Sequence, residues 1–413
     1  MGDTAVVLAV DSASTTACLR SLGRQGVHTI AASEDETVPA FASRYADETV
    51  VTPAPAEDLV GYAESVLALA RRPGVEAILP MREEDVYVLS NHRSAFDPHV
   101  CTLWPPFETL ERTHDRVRLV EAARDAEVSV PETQLLSEVD DWDRRLIVKG
   151  RYAVLAPAYV GGLSGQAIGV ASPRYLEFGV EPDREELVRE FGHVPIAQEY
   201  VPGDEHSLWA LYDQGEPVLT CQMHQHRAWK YPGGTSTFRE TVADPDLEAA
   251  GRAVLDELDW HGFASVQFMR DERTGEFRLM EVNPRVWASV PCAVRAGADF
   301  PYVYWRLATG EGDVSSDGAQ LGAGYETGFA THRLRGEAVY LYSVLAREYA
   351  YVDPPPFQSA LWDVLAALYR QPHFDYLTLD DPGPFVRDIQ NTVPAGEAVD
   401  ALSGRLRRAG SST

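Results

Sequence analysis

The pattern of apolar and polar positions changes period several times along the chain, and each change marks an element. Ala5–Val10 is an apolar run that predicts a strand. Asp11-Ser12 then forms a helix cap, and Ala13–Gln25 predicts a helix that stops at Gly26. His28–Ala32 predicts the next strand, with further strand-like runs at Thr49–Val51, Ala77–Leu79 and Cys101–Leu103. Helical patterns lie between them at Leu59–Arg71 and Asp85–Phe96. Strands alternating with helices predict a parallel α/β domain over residues 1–112.

Beyond it, Asp115–Glu127 predicts a helix, and Pro131 makes the following Val-Ser-Val-Pro-Glu-Thr extended. Leu146–Lys149 predicts a strand, and residues 153–169 then hold Gly161, Gly162, Ser164, Gly165 and Gly169. Strand signals return at Ile196–Glu205 and Pro217–His226. The clearest signal is Gly262–Arg270 and Phe277–Trp287, two alternating runs joined by Asp-Glu-Arg-Thr-Gly-Glu, which predict a hairpin. Helical patterns follow at Trp287–Ala296, Phe300–Thr309, Glu337–Tyr349 and Gln358–Tyr369. The last two are separated from the rest by Pro- and Asp-rich breaks, and read as an appended helical region.

Charge changes this picture. The 413 residues carry a formal net charge of −27, which argues against a nucleic-acid partner because phosphates are repelled. Only Lys149 and Lys230 are lysine. A carboxylate-rich, lysine-poor surface is like that of a halophile: it repels itself until salt screens it. In such a background each surviving lysine is a candidate for a role that arginine does not fill. The four cysteines (Cys18, Cys101, Cys221, Cys292) form no Cys-x-x-Cys pair, and no apolar run nears the ~18 residues needed to span a bilayer. The expectation is a reduced cytoplasmic protein with no membrane partner; a homodimer is compatible with the sequence.

Candidate chemistry follows from strand alternation. On the hairpin, Gln267 points away from Val266 and Phe268, while Glu281 and Asn283 share one face. Pairing the strands brings two amides and a carboxylate to one surface, hard oxygen donors that suit Mg²⁺. The turn after the first strand, Asp-Ser-Ala-Ser-Thr-Thr, lacks the glycines of a dinucleotide fingerprint, and no P-loop motif occurs. The acidic run Arg82-Glu83-Glu84-Asp85 stands at a strand's C-terminal end, where open α/β sheets present ligand contacts or simply start a capped helix. His224 and His226 alternate on one strand and offer two imidazoles, without a third soft ligand nearby.

The Glu-Val-Asn-Pro-Arg run at 281–285, Lys149 at its strand end and the Gln-Glu-Tyr-Val-Pro-Gly-Asp-Glu run at 198–205 together resemble the ATP-grasp superfamily, in its carbamoyl-phosphate-synthetase-like branch. The resemblance implies an α/β and α+β chain. A Rossmann-like pre-ATP-grasp domain would span 1–112, a small lid subdomain 113–195, a large subdomain 196–310, and a helical extension with a frayed tail 311–413. It implies ATP and one or two Mg²⁺ (or Mn²⁺) ions on Gln267, Glu281 and Asn283. Lys149 would reach the nucleotide phosphates, with Arg116 where the family has lysine, and Gly162 would lie in the closing loop. Gln198 would face the adenine amine, Tyr200 and Val201 would flank the ring, and Glu205 would take the ribose. Arg285, Arg227 and Lys230 would serve the reacting centre. The implied activity is ATP-dependent ligation of a small carboxylate to an amine through an acyl phosphate. Two alternatives are a non-catalytic ATP-binding protein and a bicarbonate-using carboxylase or carboxylate kinase.

Overall fold

A computed structural model of the chain describes residues 3–161, 168–169, 172–310 and 324–392. The first sheet is parallel, in the order β3-β2-β1-β4, from β1 (Thr4–Leu8), β2 (His28–Ser33), β3 (Glu48–Val51) and β4 (Val75–Leu79). Every residue of β1 is buried, as the apolar run Ala5–Leu8 requires of a strand covered on both faces. Helices α1 (Ala13–Arg24), α2 (Leu59–Ala70), α3 (Glu83–Asn91) and α4 (Arg93–Phe96) connect and cover it. Ser12 caps α1 by accepting from the Ser14 amide.

Two details depart from the pattern. The helix predicted over 85–96 breaks at His92 into α3 and α4. Cys101–Leu103 is not a strand: Cys101 makes one backbone bond, to Glu76, and the Arg93 guanidinium takes the carbonyls of Thr102 and Trp104 that a neighbouring strand would have used.

Two helices lead into the second half. These are α5 (Phe107–His114), which the sequence did not announce, and α6 (Arg116–Asp125), whose N-cap is Asp115. A four-stranded antiparallel sheet follows, in the order β5-β8-β6-β7, from β5 (Thr133–Leu135), β6 (Leu146–Lys149), β7 (Arg174–Tyr175) and β8 (Ile196–Glu199), packed on α7 (Arg184–Phe191).

The largest element is a six-stranded antiparallel sheet. It is built from β9 (Gly203–Asp213), β10 (Glu216–Lys230), β11 (Gly233–Val242), β12 (Gly262–Asp271), β13 (Phe277–Asn283) and β14 (Ala330–His332), in the order β13-β12-β9-β10-β11-β14. Helix α8 (Pro245–Glu257) packs on one face through Leu247, Val254 and Leu255. The turn from β8 to β9 depends on Gly203: its φ is +147°, and a Cβ there would run into the Arg270 carbonyl oxygen.

The predicted helix at 287–296 begins only at Val290, as α9 (Val290–Arg295), and is followed by α10 (Phe300–Thr309). The C-terminal part is not an appendage. β14 completes the large sheet, and α11 (Leu334–Ala346), α12 (Phe357–Arg370) and α13 (Gly383–Thr392) follow it. Asp375 meets Arg239 at 2.5 Å inside the fold. Asp381 accepts from Arg20 Nε at 2.8 Å, Ser43 Oγ at 2.7 Å and the Arg44 amide at 2.9 Å. Arg20 and Asp381 are only 4% and 1% exposed. Asp381→Ala leaves that guanidinium buried without its counter-charge, and is expected to cost about 3–5 kcal/mol in a denaturant titration. A loss below about 1 kcal/mol would contradict this account of how the C-terminal segment is held.

Candidate active site

The predicted hairpin forms as β12 and β13, and its register decides the site. Gln267 stands opposite Glu281, and Ser265 opposite Asn283. Asn283 Nδ2 donates to Glu281 Oε1 at 3.2 Å. On its other side β12 pairs with β9, setting Gln267 against Ser207 and Ser265 against Trp209. Gln267, Glu281, Asn283, Arg285 and Glu205 all line one cavity of about 330 Å³. One carboxylate and two amide oxygens on a single wall fit a hard divalent cation that takes its remaining ligands from water and phosphate.

Two cations approach from the other side. Arg116, at the start of α6, reaches Glu281 at 3.7 Å and donates to the Gly150 carbonyl at 2.8 Å. Lys149 Nζ donates to Gln198 Oε1 at 2.8 Å, and Gln198 Nε2 in turn donates to Thr133 at 3.1 Å. Burial, and then the charge of Arg116, pull the Lys149 ammonium down to about 8, against the opposing pull of Glu281 and Glu205. Burial and the nearby Glu281 push the Glu205 carboxyl up to about 7, although Gln225 donates to it at 3.0 Å.

Arg285 is fixed by a residue 202 positions away. Its Nε donates to Glu83 Oε1 at 2.8 Å. The other oxygen of Glu83 lies 3.2 Å from His114 Nε2, and His114 Nδ1 lies 3.0 Å from the Tyr159 hydroxyl. Burial alone would raise the Glu83 carboxyl; the Arg285 charge and the His114 hydrogen bond hold it below the usual range. The acidic run thus divides its labour. Asp85 accepts from the Met81 and Arg82 amides and from Tyr62, while Glu83 turns to the cavity wall.

Other predicted residues are placed differently. Arg227 pairs with Glu337 at 2.8 Å and lies over the Phe238 ring, and Lys230 stands 5.9 Å over Tyr349; neither lines the cavity. The reason is local: the register of β10 against β11 shifts between Gln225 and Arg227, so the alternation that carries Gln225 to the cavity is not passed on. Tyr200 meets Tyr351 at 5.3 Å and lines a separate cavity, while Val201 is buried beside the turn. The Gln198 amide is engaged by Lys149. Gly162 lies outside the described residues. His224 stacks on His206 and meets His226 at a tilt, each 4.3 Å away, and among the described residues no three His, Cys, Asp or Glu side chains could hold a metal.

Sequence reasoning missed His114 and, on β9, Ser207 and Trp209. His114 had no motif, and Ser207 and Trp209 lie beyond the run at 198–205 that carried the resemblance.

The family model for "ATP-grasp in the biosynthetic pathway with Ter operon" matches residues 193–326, the span that holds the hairpin, Glu205 and Arg285. The chain therefore carries an ATP-grasp domain. Among curated relatives, the carbamoyl phosphate synthase large chain of Methanoculleus marisnigri is 26% identical over 209 residues, 47% of this chain and 19% of that one. The D-alanine–D-alanine ligase of a Psychrobacter species is 24% identical over 212 residues, covering 47% and 60%. The chain thus spans less than two thirds of these relatives. Among solved structures, the biotin carboxylase domain of Hydrogenobacter thermophilus 2-oxoglutarate carboxylase, in complex with MgADP and bicarbonate, matches with a TM-score of 0.56 at 19% identity, over 75% of this chain and 70% of that one. The L-amino acid ligase of Bacillus licheniformis matches with a TM-score of 0.55 at 16% identity, over 75% and 74%. At these identities the likeness of structure is one of fold, and that fold is ATP-grasp.

A prediction concerns Lys149. Phosphate favours its charged form, and in the free protein that form is lost above about 8. MgATP affinity, measured by calorimetry, should therefore fall as pH rises from 7.5 to 9.5, by about tenfold per pH unit at the steepest. Lys149→Arg, which stays charged, should flatten the profile; an unchanged slope in that variant would assign the titration to another group.

Proposed function

We propose that the protein is an ATP-dependent carboxylate–amine ligase, which transfers the γ-phosphoryl group to a small carboxylic acid and lets an amine displace phosphate from the acyl phosphate. The observation that carries this reading is the convergence of Gln267, Glu281, Asn283, Arg285, Lys149 and Arg116 around one cavity and its rim. The ligase names among the relatives support it.

The residues divide the work by charge. Gln267, Glu281 and Asn283 would hold one or two Mg²⁺ or Mn²⁺ ions, which when bound would offset the negative charge of the phosphates. Lys149 and Arg116 would hold the phosphates. For Lys149 this means exchanging Gln198 for the nucleotide, and releasing the Gln198 amide to meet adenine. Glu205, half-protonated near neutrality, suits a sugar hydroxyl better than a phosphate. Arg285, oriented by Glu83, would stabilise charge on the transferred group and on the tetrahedral adduct. Tyr200 and Val201 would border the adenine through their backbone, and Gly162 would belong to the segment that excludes water. Arg227 and Lys230 act in this reading by fixing the C-terminal segment against β10. No side-chain nucleophile is required, since positioning supplies most of the rate.

The acidic surface we read as an adaptation to salt, in a protein of the cytoplasm; a homodimer fits the same reading. Among the described residues no helix is long and apolar enough to cross a membrane.

Two measurements test these proposals. Glu281→Ala should weaken metal-dependent MgATP binding and abolish amine-dependent ADP release, with the circular dichroism spectrum retained. Undiminished ADP release in that variant would sink the assignment, and ADP release driven by bicarbonate without any amine would move it to a carboxylase. The thermal midpoint should rise between 0.1 and 2 M KCl, because the Debye length shrinks from about 10 Å to below 3 Å over that range. A midpoint that falls would refute the salt adaptation.

A further inference from the structure

Four residues from distant parts of the chain form one line of hydrogen bonds that ends at the cavity. Tyr159 lies in the segment after β6, His114 is the last residue of α5, Glu83 is the first residue of α3, and Arg285 follows β13. The line runs from the Tyr159 hydroxyl to His114 Nδ1, from His114 Nε2 to one oxygen of Glu83, and from the other oxygen to Arg285 Nε. Only Arg285 among the four lines the cavity that holds Glu281 and Asn283.

The direction of each bond follows from what each group can do. A carboxylate only accepts, so the proton between His114 and Glu83 sits on Nε2. Glu83 and Arg285 already balance one another, and a second buried cation would have to share that one carboxylate, so the ring is neutral and Nδ1 carries a lone pair. The lone pair accepts from Tyr159, whose phenol is kept protonated by burial and then by the neighbouring Tyr87.

Packing fixes the far end of the line. The Tyr159 ring stacks on Phe107 and on Tyr152, with planes within 11° and 14°, and meets Tyr87 and His114 edge-on at 5.6 Å each. The His114 side chain is wholly buried, and its carbonyl accepts from the Ala153 amide at 2.8 Å. At the near end, the other nitrogens of Arg285 make looser bonds, 3.3 Å to the Val286 carbonyl and 3.5 Å to Asn283 Oδ1. The 2.8 Å bond to Glu83 therefore sets the direction of the guanidinium. It uses the Nε edge, so the terminal nitrogens remain available to an anion in the cavity.

We propose that His114 and Tyr159 are positioning residues for Arg285: Tyr159 fixes the tautomer of His114, His114 holds the second oxygen of Glu83, and Glu83 so held aims the guanidinium at the phosphoryl group in transfer. The inference rests on the ligase reading above, which places Arg285 at that group. Removing the His114 donor leaves a buried carboxylate oxygen unpaired and the carboxylate free to turn. Arg285 then keeps its counter-charge and loses its direction. The loss falls on the transferred group and not on the nucleotide, which Lys149 and Arg116 hold.

The test does not require the acid to be known. Aluminium fluoride, added with saturating MgADP, stands in for the phosphoryl group in transfer, and calorimetry on the full-length protein reads its affinity separately from that of MgADP. His114→Ala should weaken aluminium fluoride about tenfold, the effect of one hydrogen bond to a charged group, and change MgADP affinity less than about threefold. His114→Gln, whose amide nitrogen supplies a donor in place of Nε2, should return aluminium fluoride to within about threefold of the wild type, which a role in packing alone would not do. Tyr159→Phe should weaken it by about threefold. Nitrogen NMR spectra of the histidine-labelled wild type should show His114 protonated at Nε2 and bare at Nδ1. Wild-type affinity for aluminium fluoride in His114→Ala would overturn the proposal, as would a His114→Gln variant as weak as His114→Ala, or a protonated Nδ1. If His114→Ala does not fold, Tyr159→Phe and the spectrum decide, and unchanged aluminium fluoride affinity in Tyr159→Phe would overturn it. So would a wild type that binds MgADP without taking up aluminium fluoride. Failure of the wild type to bind MgADP at all would instead overturn the ligase reading.

Discussion

The site depends on the register of three neighbouring strands. Side chains alternate faces on a strand, so a slip of one residue in β12 would turn Gln267 away and bring Val266 or Phe268 to the cavity. Two features fix the register. Val266 and Phe268 are wholly buried in the core shared with α8, and the turn after β8 starts β9 at Gly203, opposite Asp271. The polar residues are thus aligned by the apolar ones behind them, and packing on the far side of the sheet supplies the precision that chemistry needs on the near side.

Electrostatics adds a second constraint. Glu205 and Glu281 face Lys149 and Arg116 in a partly desolvated space. The result is a lysine that gives up its proton too easily and a carboxyl that keeps its own too long. Shifts of this kind are what a site for a charged ligand would produce. On the ligase reading proposed above, a nucleotide's phosphates would restore Lys149, and a metal at Glu281 would relieve Glu205 of that charge. The acidity of the whole chain sharpens the point, since on that reading a polyanion would have to be drawn into a molecule of the same sign by a small number of well-placed cations.

What was legible in the sequence is what is local. The β12–β13 hairpin announces itself through alternation and a turn, so Gln267, Glu281 and Asn283 are brought together as that alternation requires. Lys149 stands out by rarity and by its place at a strand end. The parallel order of the first sheet follows from its alternation with helices. What was illegible depends on contacts between distant positions or on single-residue irregularities. Nothing near Glu83 says that it will hold Arg285. A bulge in β10 removes Arg227 from the cavity, and a bulge leaves no mark in composition. The C-terminal region read as an appendage because single buried ion pairs, such as Arg239 with Asp375, carry no periodic signal.

The clasp between Arg20 and Asp381 also has a consequence in time. The two residues are 361 positions apart, one in α1 and the other beyond α12. At a translation rate of about 5–20 residues per second, the guanidinium of Arg20 waits roughly 20–70 s for the carboxylate that will cover it. The nascent N-terminal sheet therefore cannot reach its finished packing while the ribosome is still at work on the site. Whatever holds that surface in the interval, whether solvent, salt or a chaperone, acts on a half-made protein that already contains its first domain's strands but not the segment that closes them.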